Sequence, residues 1–410
     1  MLWSRKSAPV HDRSRVVGID LTASRIRCVS VGGGKVRALV LDTPAEDLLL
    51  FLACDRRSPV VGRAGFGLCR KAPHAVISNF LSSLTQSQEY RAGRHILSPE
   101  AALELALAGV REQVSAESEA AALAVPAYLT PAQVGKVVLG ATRTKLPLKG
   151  TASAPLAVAA HRAAAVLTGK PTTQGTPLTG GVIPIRPPAG GPGSAVVIDA
   201  DEFALSAGVV AIERDSARLV FSTFWPRVSV KVWKDRLLDA LADRCVRLCR
   251  RDPRDSADAE QALFEQLDDA LDRAQAGQRV SLTVRTAHWF QDLTLQPEEL
   301  DGHCGALART AAEGVRDVIT GAGLPVPPRV VWLTHAAGRL PGLGRALHQN
   351  TPEGTAIEIL PPGAVAHAAA ALVPRWLSGD LPRAHLDTII PLSIVSSQSA
   401  AAQPKSTTQR

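Results

Sequence analysis

Two stretches of the chain share one pattern of apolar and polar positions. The first runs from Val16 to Val31, and the second from Ser194 through Asp201 to about Glu213. Each begins with an apolar run rich in β-branched residues, reaches an aspartate, passes a short turn and continues as a second apolar run. This pattern predicts a β-hairpin. Because it occurs twice, it also indicates a duplicated fold.

Helical and strand-like patterns alternate between the two hairpins. Pro99 to Val114 has helical spacing, with Ser98 as the N-cap. A short apolar run at Ala121 to Val125 predicts a buried strand, and Thr130 to Thr144 a second helix. Helical spacing is also found from Ala72 to Leu84. This alternation predicts an α/β architecture.

The second half repeats the alternation. Helices are predicted at 233–250, 257–276, 297–321 and 363–373, and strands at 280–286 and 357–360. Residues 328–341 are predicted to form a strand, a turn of small residues and the start of a helix. Pro, Gly and Thr dominate residues 169 to 193, which is typical of a linker. The predicted organisation is a flexible N-terminus (1–15), a first lobe (16–170), a linker (171–193), a second lobe (194–380) and a linker-like segment with a disordered tail (381–410).

Composition narrows the function classes. The net charge of +8 invites a nucleic-acid interpretation, but the arginines are scattered and only 4% of residues are aromatic, so no specific nucleic-acid surface is expected. No uninterrupted apolar run reaches membrane-spanning length. The six cysteines form no CxxC pair. We therefore expect a soluble, cytoplasmic protein with no membrane span.

The first hairpin also carries candidate chemistry. Asp20 stands at the end of its first strand, with Thr22 and Ser24 in the turn behind it. A carboxylate there suits a hydrated metal, and turn amides suit a phosphate. An ordinary hairpin whose polar residues satisfy turn amides explains the same residues. Both interpretations stay open on these residues alone.

From the first hairpin nearly to its end, the chain resembles the actin-fold ATPase domain of the DnaK-type, seventy-kilodalton heat-shock chaperones. The order of the elements matches that family. The resemblance rests on these strings: Gly18-Ile19-Asp20-Leu21, Val61-Gly62, Val125-Pro126-Ala127-Tyr128, Ala132-Gln133, Gly338-Arg339-Leu340-Pro341 and Ala364-Val365-Ala366. Pro391-Leu392-Ser393-Ile394 resembles the strand that opens the family's peptide-binding domain, and we expect this chain to lack that domain.

The resemblance implies two ribonuclease-H-like lobes, each a mixed five-stranded sheet flanked by helices, that close on ATP or ADP with Mg. It also implies that Asp20 and Asp199 hold Mg through water. The nucleotide and phosphate candidates it implies are Asp20, Thr22, Ser24, Asp199, Gly338 and Arg339.

The sequence departs from that family where phosphate chemistry takes place. Thr22-Ala23-Ser24 replaces a turn that begins with glycine, and Asp201 and Glu202 stand where the family has a glycine run. The catalytic lysine falls near Phe66, and the acid that supports the attacking water falls near Ala154. Because phosphoryl transfer depends on positioning and charge neutralisation, we expect weak or absent ATPase activity.

Three functions follow as hypotheses. The first is a chaperone-like, nucleotide-binding domain that acts by protein interaction, with a client, co-chaperone or scaffold partner. The second is an active ATPase in which a basic residue such as Arg63, Arg70 or Lys71 replaces the lysine. The third is an actin-like assembly or scaffold protein.

Overall fold

The computed structural model describes residues 15–168, 176–177 and 193–392. Strands and helices alternate through these residues. The strands are β1 (Val16–Leu21), β2 (Arg25–Gly32), β3 (Lys35–Ala38), β4 (Asp47–Leu49), β5 (Leu52–Ala53), β6 (Val60–Val61), β7 (Val76–Ile77), β8 (Tyr90–Ala92), β9 (His95–Leu97), β10 (Ala121–Val125), β11 (Leu148–Ser153), β12 (Thr176–Pro177), β13 (Gly193–Ala200), β14 (Leu205–Ile212), β15 (Ser216–Trp225), β16 (Val280–Arg285), β17 (Phe290–Leu295), β18 (Val330–Leu333), β19 (Ala356–Ile359), β20 (His385–Leu386) and β21 (Ile389–Pro391). The helices are α1 (Arg63–Phe66), α2 (Pro99–Glu117), α3 (Pro131–Arg143), α4 (Ala154–Thr168), α5 (Val230–Cys249), α6 (Ala257–Gln275), α7 (Pro297–Gly321), α8 (His335–Gly338), α9 (Leu343–Asn350) and α10 (Ala364–Ser378).

Two mixed sheets share one strand order. In the first sheet β11, β10, β1, β2 and β3 lie side by side. β1 and β10 are parallel, as are β10 and β11, whereas β2 is antiparallel to both β1 and β3. In the second sheet β19, β18, β13, β14 and β15 follow the same order with the same directions. Both predicted hairpins are confirmed, and each supplies the central strand of its sheet.

Each sheet has seven strands rather than the expected five. β4 and β20 are added to the first sheet, and β12 and β21 to the second. β20 and β21 lie in the C-terminal segment that we expected to be linker-like. There the chain pairs first with β11 and then, after two residues, with β15. The end of the described chain therefore ties both sheets together.

Two helices are exchanged between the sheets. α4 follows β11 of the first sheet but packs on β13 and β14 of the second, and α10 follows β19 but packs on β1 and β2 of the first. α4 and α10 also pack on each other, in a core cluster shared by the two halves. Gly18 permits this packing, because a Cβ there would lie 1.8 Å from the carbonyl oxygen of Ala366.

One predicted helix is wrong. From Ala72 to Leu84 the chain forms two short 3₁₀ turns around β7, not one helix. Asn79, with φ of 55°, interrupts the helical path. The apolar spacing that predicted the helix reflects burial of Phe80, Leu81 and Leu84.

Among the helices that the structure describes, none is long and apolar enough to cross a membrane.

Candidate functional site

The two central strands end on a pair of buried aspartates. Asp20 is the penultimate residue of β1, and Asp199 the penultimate residue of β13. They are 6% and 7% exposed. Asp199 accepts hydrogen bonds from the Thr334 hydroxyl at 2.6 Å and from the Ala200 amide at 2.9 Å. The repeated strand order thus places two equivalent carboxylates where the two halves meet.

Burial shifts the protonation of this pair. Burial and the charge of Asp199 raise the pKa of Asp20 to about 7, although Arg25 and Arg27 oppose the shift. Burial also raises the pKa of Asp199, against its two hydrogen bonds. Two close carboxylates in such a site retain a proton or attract a cation. Within the described ranges no group of three or more His, Cys, Asp or Glu side chains could hold a metal ion directly.

The hydroxyl groups of the turn between β1 and β2 accept hydrogen bonds, either from amides of the same turn or from the second half of the chain. The Thr22 hydroxyl accepts the amides of Ser24 and Arg25 at 3.3 and 3.2 Å. The Ser24 hydroxyl accepts the amide of Glu202, in the second turn, at 2.7 Å. Both predicted phosphate ligands therefore lie at the predicted place, but their hydroxyl oxygens already accept hydrogen bonds from the chain.

The second turn places a carboxylate against the first. Asp201 is 3% exposed, and its Oδ2 accepts the Ala23 amide at 2.8 Å and the Tyr128 hydroxyl at 2.5 Å. Its Oδ1 accepts the amides of Phe203 and Ala204, each at 2.9 Å. From the sequence, Asp201 was identified only as a residue that stands where the chaperone family has a glycine run. This contact across the halves was missed, because the sequence holds no local signal for it.

In the second half of the chain, two buried cationic side chains form ion pairs with carboxylates. Lys234 (3% exposed) donates to Glu202 at 3.2 Å and to Asp268 at 2.9 Å. Arg339 donates to Asp268 at 2.6 Å and to Asp272 at 3.3 Å. Burial alone would raise the pKa of Asp268, but the charges of Lys234 and Arg339 hold it well below its usual range. The predicted ligand Arg339 is thus already neutralised.

The first half contributes a matching ion pair. Arg27 binds both carboxylate oxygens of Asp47, at 2.5 and 2.7 Å, and Arg25 lies 3.5 Å from the same group. Between these pairs and the Lys234 network is a cavity of about 700 Å³. Five cationic and six carboxylate side chains line it, a formal charge of −1: Arg25, Arg27, Arg63, Lys234 and Arg339 against Glu46, Asp47, Glu202, Glu265, Asp268 and Asp272.

An aromatic contact closes one side of the cavity where the resemblance places a catalytic lysine. The Phe66 ring packs between Phe51, 5.4 Å away, and Phe264 of α6, 5.1 Å away. The Phe66 carbonyl accepts the side-chain amide of Gln261 at 2.9 Å. Phe66 therefore joins the first half to the second by packing and by a backbone hydrogen bond.

The three basic residues proposed to replace the catalytic lysine are either in ion pairs or exposed. Arg70 pairs with Asp235, and Lys71 lies 2.6 Å from Asp258 on the surface. Arg63 lines the cavity from an exposed position. Ala154, at the position of the expected acid, is buried at the start of α4.

Residues of the turn after β18 pack against the rest of the fold and also line the cavity. Gly338 packs against Ile359, since a Cβ there would lie 2.4 Å from that side chain. His335 lies 3.5 Å from Asp272, and burial together with the Arg339 charge lowers its pKa to about 3. At neutral pH His335 is therefore an uncharged wall of the cavity.

In this arrangement the residues of the two turns and the cavity do not fit a nucleoside triphosphate. The turn amides of Ala23, Phe203 and Ala204 are taken by Asp201, and the buried cations by carboxylates. Further negative charge would enter a cavity whose lining is already formally negative.

No protein-family model matches the chain, and no curated protein shows significant similarity to it.

Proposed function

We propose that this chain has an actin-like ATPase fold related to the DnaK-type chaperone domain, that it does not hydrolyse ATP at an appreciable rate, and that it acts by binding other proteins. The shared strand order of the two sheets supports the fold. So do the equivalent positions of Asp20 and Asp199 and the exchange of α4 and α10.

The charge balance of the cavity is the observation that carries the loss of catalysis. Phosphoryl transfer needs cations and amide donors that face the transferred group. Here Lys234 and Arg339 face Asp268, and the resemblance places the catalytic lysine near Phe66, which is not basic. Each missing electrostatic element of this kind costs about 3 kcal/mol of transition-state stabilisation, so the combined loss is incompatible with rapid turnover.

Action through protein contact follows from the retained architecture. The described residues form extended buried apolar cores, while the charged residues that line the cavity bind one another. The function that such a scaffold supports best is recognition of a protein partner by its outer surface, with the cleft contacts fixing the relative position of the halves.

Calorimetry and a phosphate-release assay test this proposal. Purified protein is titrated with ATP and with ADP, both with Mg, up to millimolar concentration. We expect no phosphate release above that of two variants, Asp199→Ala and the size-matched Asp20→Asn. Release by the wild type that both variants abolish, with their circular dichroism unchanged, would show a working ATPase and overturn the proposal.

A further inference from the structure

One carboxylate joins the two halves at the turns. The Ala23 amide and the Tyr128 hydroxyl reach Asp201 Oδ2 from the first half, at 2.8 and 2.5 Å. The Phe203 and Ala204 amides reach Asp201 Oδ1 from its own turn, each at 2.9 Å. Each oxygen therefore accepts two hydrogen bonds. All four partners are donors, so the set suits an anion.

The surroundings hold this carboxylate in place. The Asp201 amide donates to the Ala204 carbonyl, and the Asp201 carbonyl accepts the amide of Val230 at the start of α5, each at 2.9 Å. The rings of Phe203 and Phe224 lie 5.0 and 5.6 Å from the Tyr128 ring and cover its side of the site. Backbone and side chain are both fixed, which preorganises the four donors.

The charge of the site also limits its ligand. Burial raises the pKa of Asp201, and the hydrogen bonds from Tyr128 and from the amides of Ala23 and Ala204 counter that shift. The nearby Asp199 carboxylate disfavours a second negative charge. A small monoanion is therefore better accommodated than a phosphate, which carries more charge.

We propose that the two turns form an oxyanion-binding site for a carboxylate, and that Asp201 fills it as a tethered ligand that keeps the halves closed with no bound small molecule. With the Asp201 side chain removed, the four donors accept a free monocarboxylate instead. This inference goes beyond the proposed function, because it concerns how the halves are held and not whether ATP is hydrolysed.

Chemical rescue tests the site. Asp201→Ala removes the carboxylate and leaves room for formate. We expect its unfolding midpoint to lie several degrees below that of the wild type and to rise saturably with sodium formate. Sodium chloride at the same ionic strength should have no such effect. Leu263→Ala, which truncates a buried apolar side chain of α6, is the control for a general effect of formate on a weakened protein.

The inference is overturned if formate shifts Asp201→Ala no more than it shifts Leu263→Ala. A second variant covers failure of Asp201→Ala to fold. Asp201→Asn keeps the size of the side chain but turns an acceptor oxygen into a donor. The single acceptor oxygen of asparagine can serve the Ala23 amide or the amides of Phe203 and Ala204, but not both. We expect hydrogen exchange of at least one of these two sets of amides to accelerate about tenfold in Asp201→Asn. Exchange of the Thr22 amide, which donates to Arg25 within the first turn, should stay unchanged. Exchange of the Ala23, Phe203 and Ala204 amides at wild-type rates in Asp201→Asn would contradict the inference.

Discussion

Replacing Asp268 by asparagine removes one charge from the Lys234–Arg339 network and little else. The carboxylate accepts from Lys234 at 2.9 Å and from Arg339 at 2.6 Å. Those two side chains are 4% and 8% exposed, whereas the Asp268 side chain is 32% exposed. Asparagine keeps the shape but removes the carboxylate that the two buried cations share, so that Lys234 keeps only Glu202 and Arg339 keeps only Asp272 as a charged partner.

The expected cost follows from this burial. Breaking a buried ion pair by removing one partner costs about 3–5 kcal/mol. Solvent reaches part of Asp268 and each cation keeps a second carboxylate, so we expect the lower end, about 3 kcal/mol. With an m-value of about 3 kcal/mol/M, the urea midpoint should fall by about 1 M. Tryptophan fluorescence and circular dichroism should report one coincident transition, because α4 and α10 each pack on the sheet of the other half and couple the two halves.

Asp269→Asn is the matched control. Asp269 lies next to Asp268 on α6, but its side chain is 64% exposed and pairs with Arg273 on the surface. Such a pair contributes less than about 1 kcal/mol. If Asp268→Asn and Asp269→Asn differ by less than about 0.5 kcal/mol, the buried network does not stabilise the protein as argued.

The pH dependence checks the same carboxylate. Its folded-state pKa lies well below the usual range, so the stability it adds is present above the unfolded pKa of about 4 and is lost as the pH falls through the folded value. The difference between wild type and Asp268→Asn should therefore shrink below about pH 4. A difference that grows in acid would refute the assignment.

Three further predictions concern other contacts. Gly18→Ala should prevent folding, because its Cβ would overlap the α10 backbone, whereas Gly135→Ala, in open space on α3, should stabilise by up to about 1 kcal/mol; soluble yield and urea unfolding separate the two. Phe66→Ala should cost about 3 kcal/mol in urea unfolding through lost ring packing, while Phe290→Ala, at a side chain 69% exposed, should cost little. His335 has a folded pKa of about 3, so the unfolded chain binds the proton first and stability falls as the pH drops from about 6.5 towards 3; a pH series should show a shallower slope for His335→Gln, and an equal slope would contradict the burial of a neutral ring.

The sequence alone predicted the hairpins and helix starts that depend on contacts between residues close together along the chain. Ser98 accepts the Ala101 amide at the start of α2, and Thr130 forms a capping box with Gln133 at the start of α3. Both hairpins form where the alternation of apolar residues and turns placed them. Each of these features depends on contacts within a few residues along the chain, which a single sequence displays.

The contacts that define the site join distant residues. Asp201 meets Ala23 across 178 positions, and Gln261 meets Phe66 across 195. Nothing in the turn Asp201–Ala204 reveals which donors its carboxylate finds. The positions of Asp20 and Asp199 were predictable because a repeated pattern marks both. The pairing of Asp268 on α6 with Lys234 and Arg339 instead depends on how α5 and the end of α8 lie against α6.

The exchange of α4 and α10 makes the two halves mutually dependent for folding. A chain divided between α4 and β13 would give a first fragment without the helix that covers β1, and a second without the helix that covers β13 and β14. Each fragment would expose the apolar face of its central sheet. Neither piece should therefore behave as an autonomous domain, although mixing the two should let them reassemble by reciprocal complementation.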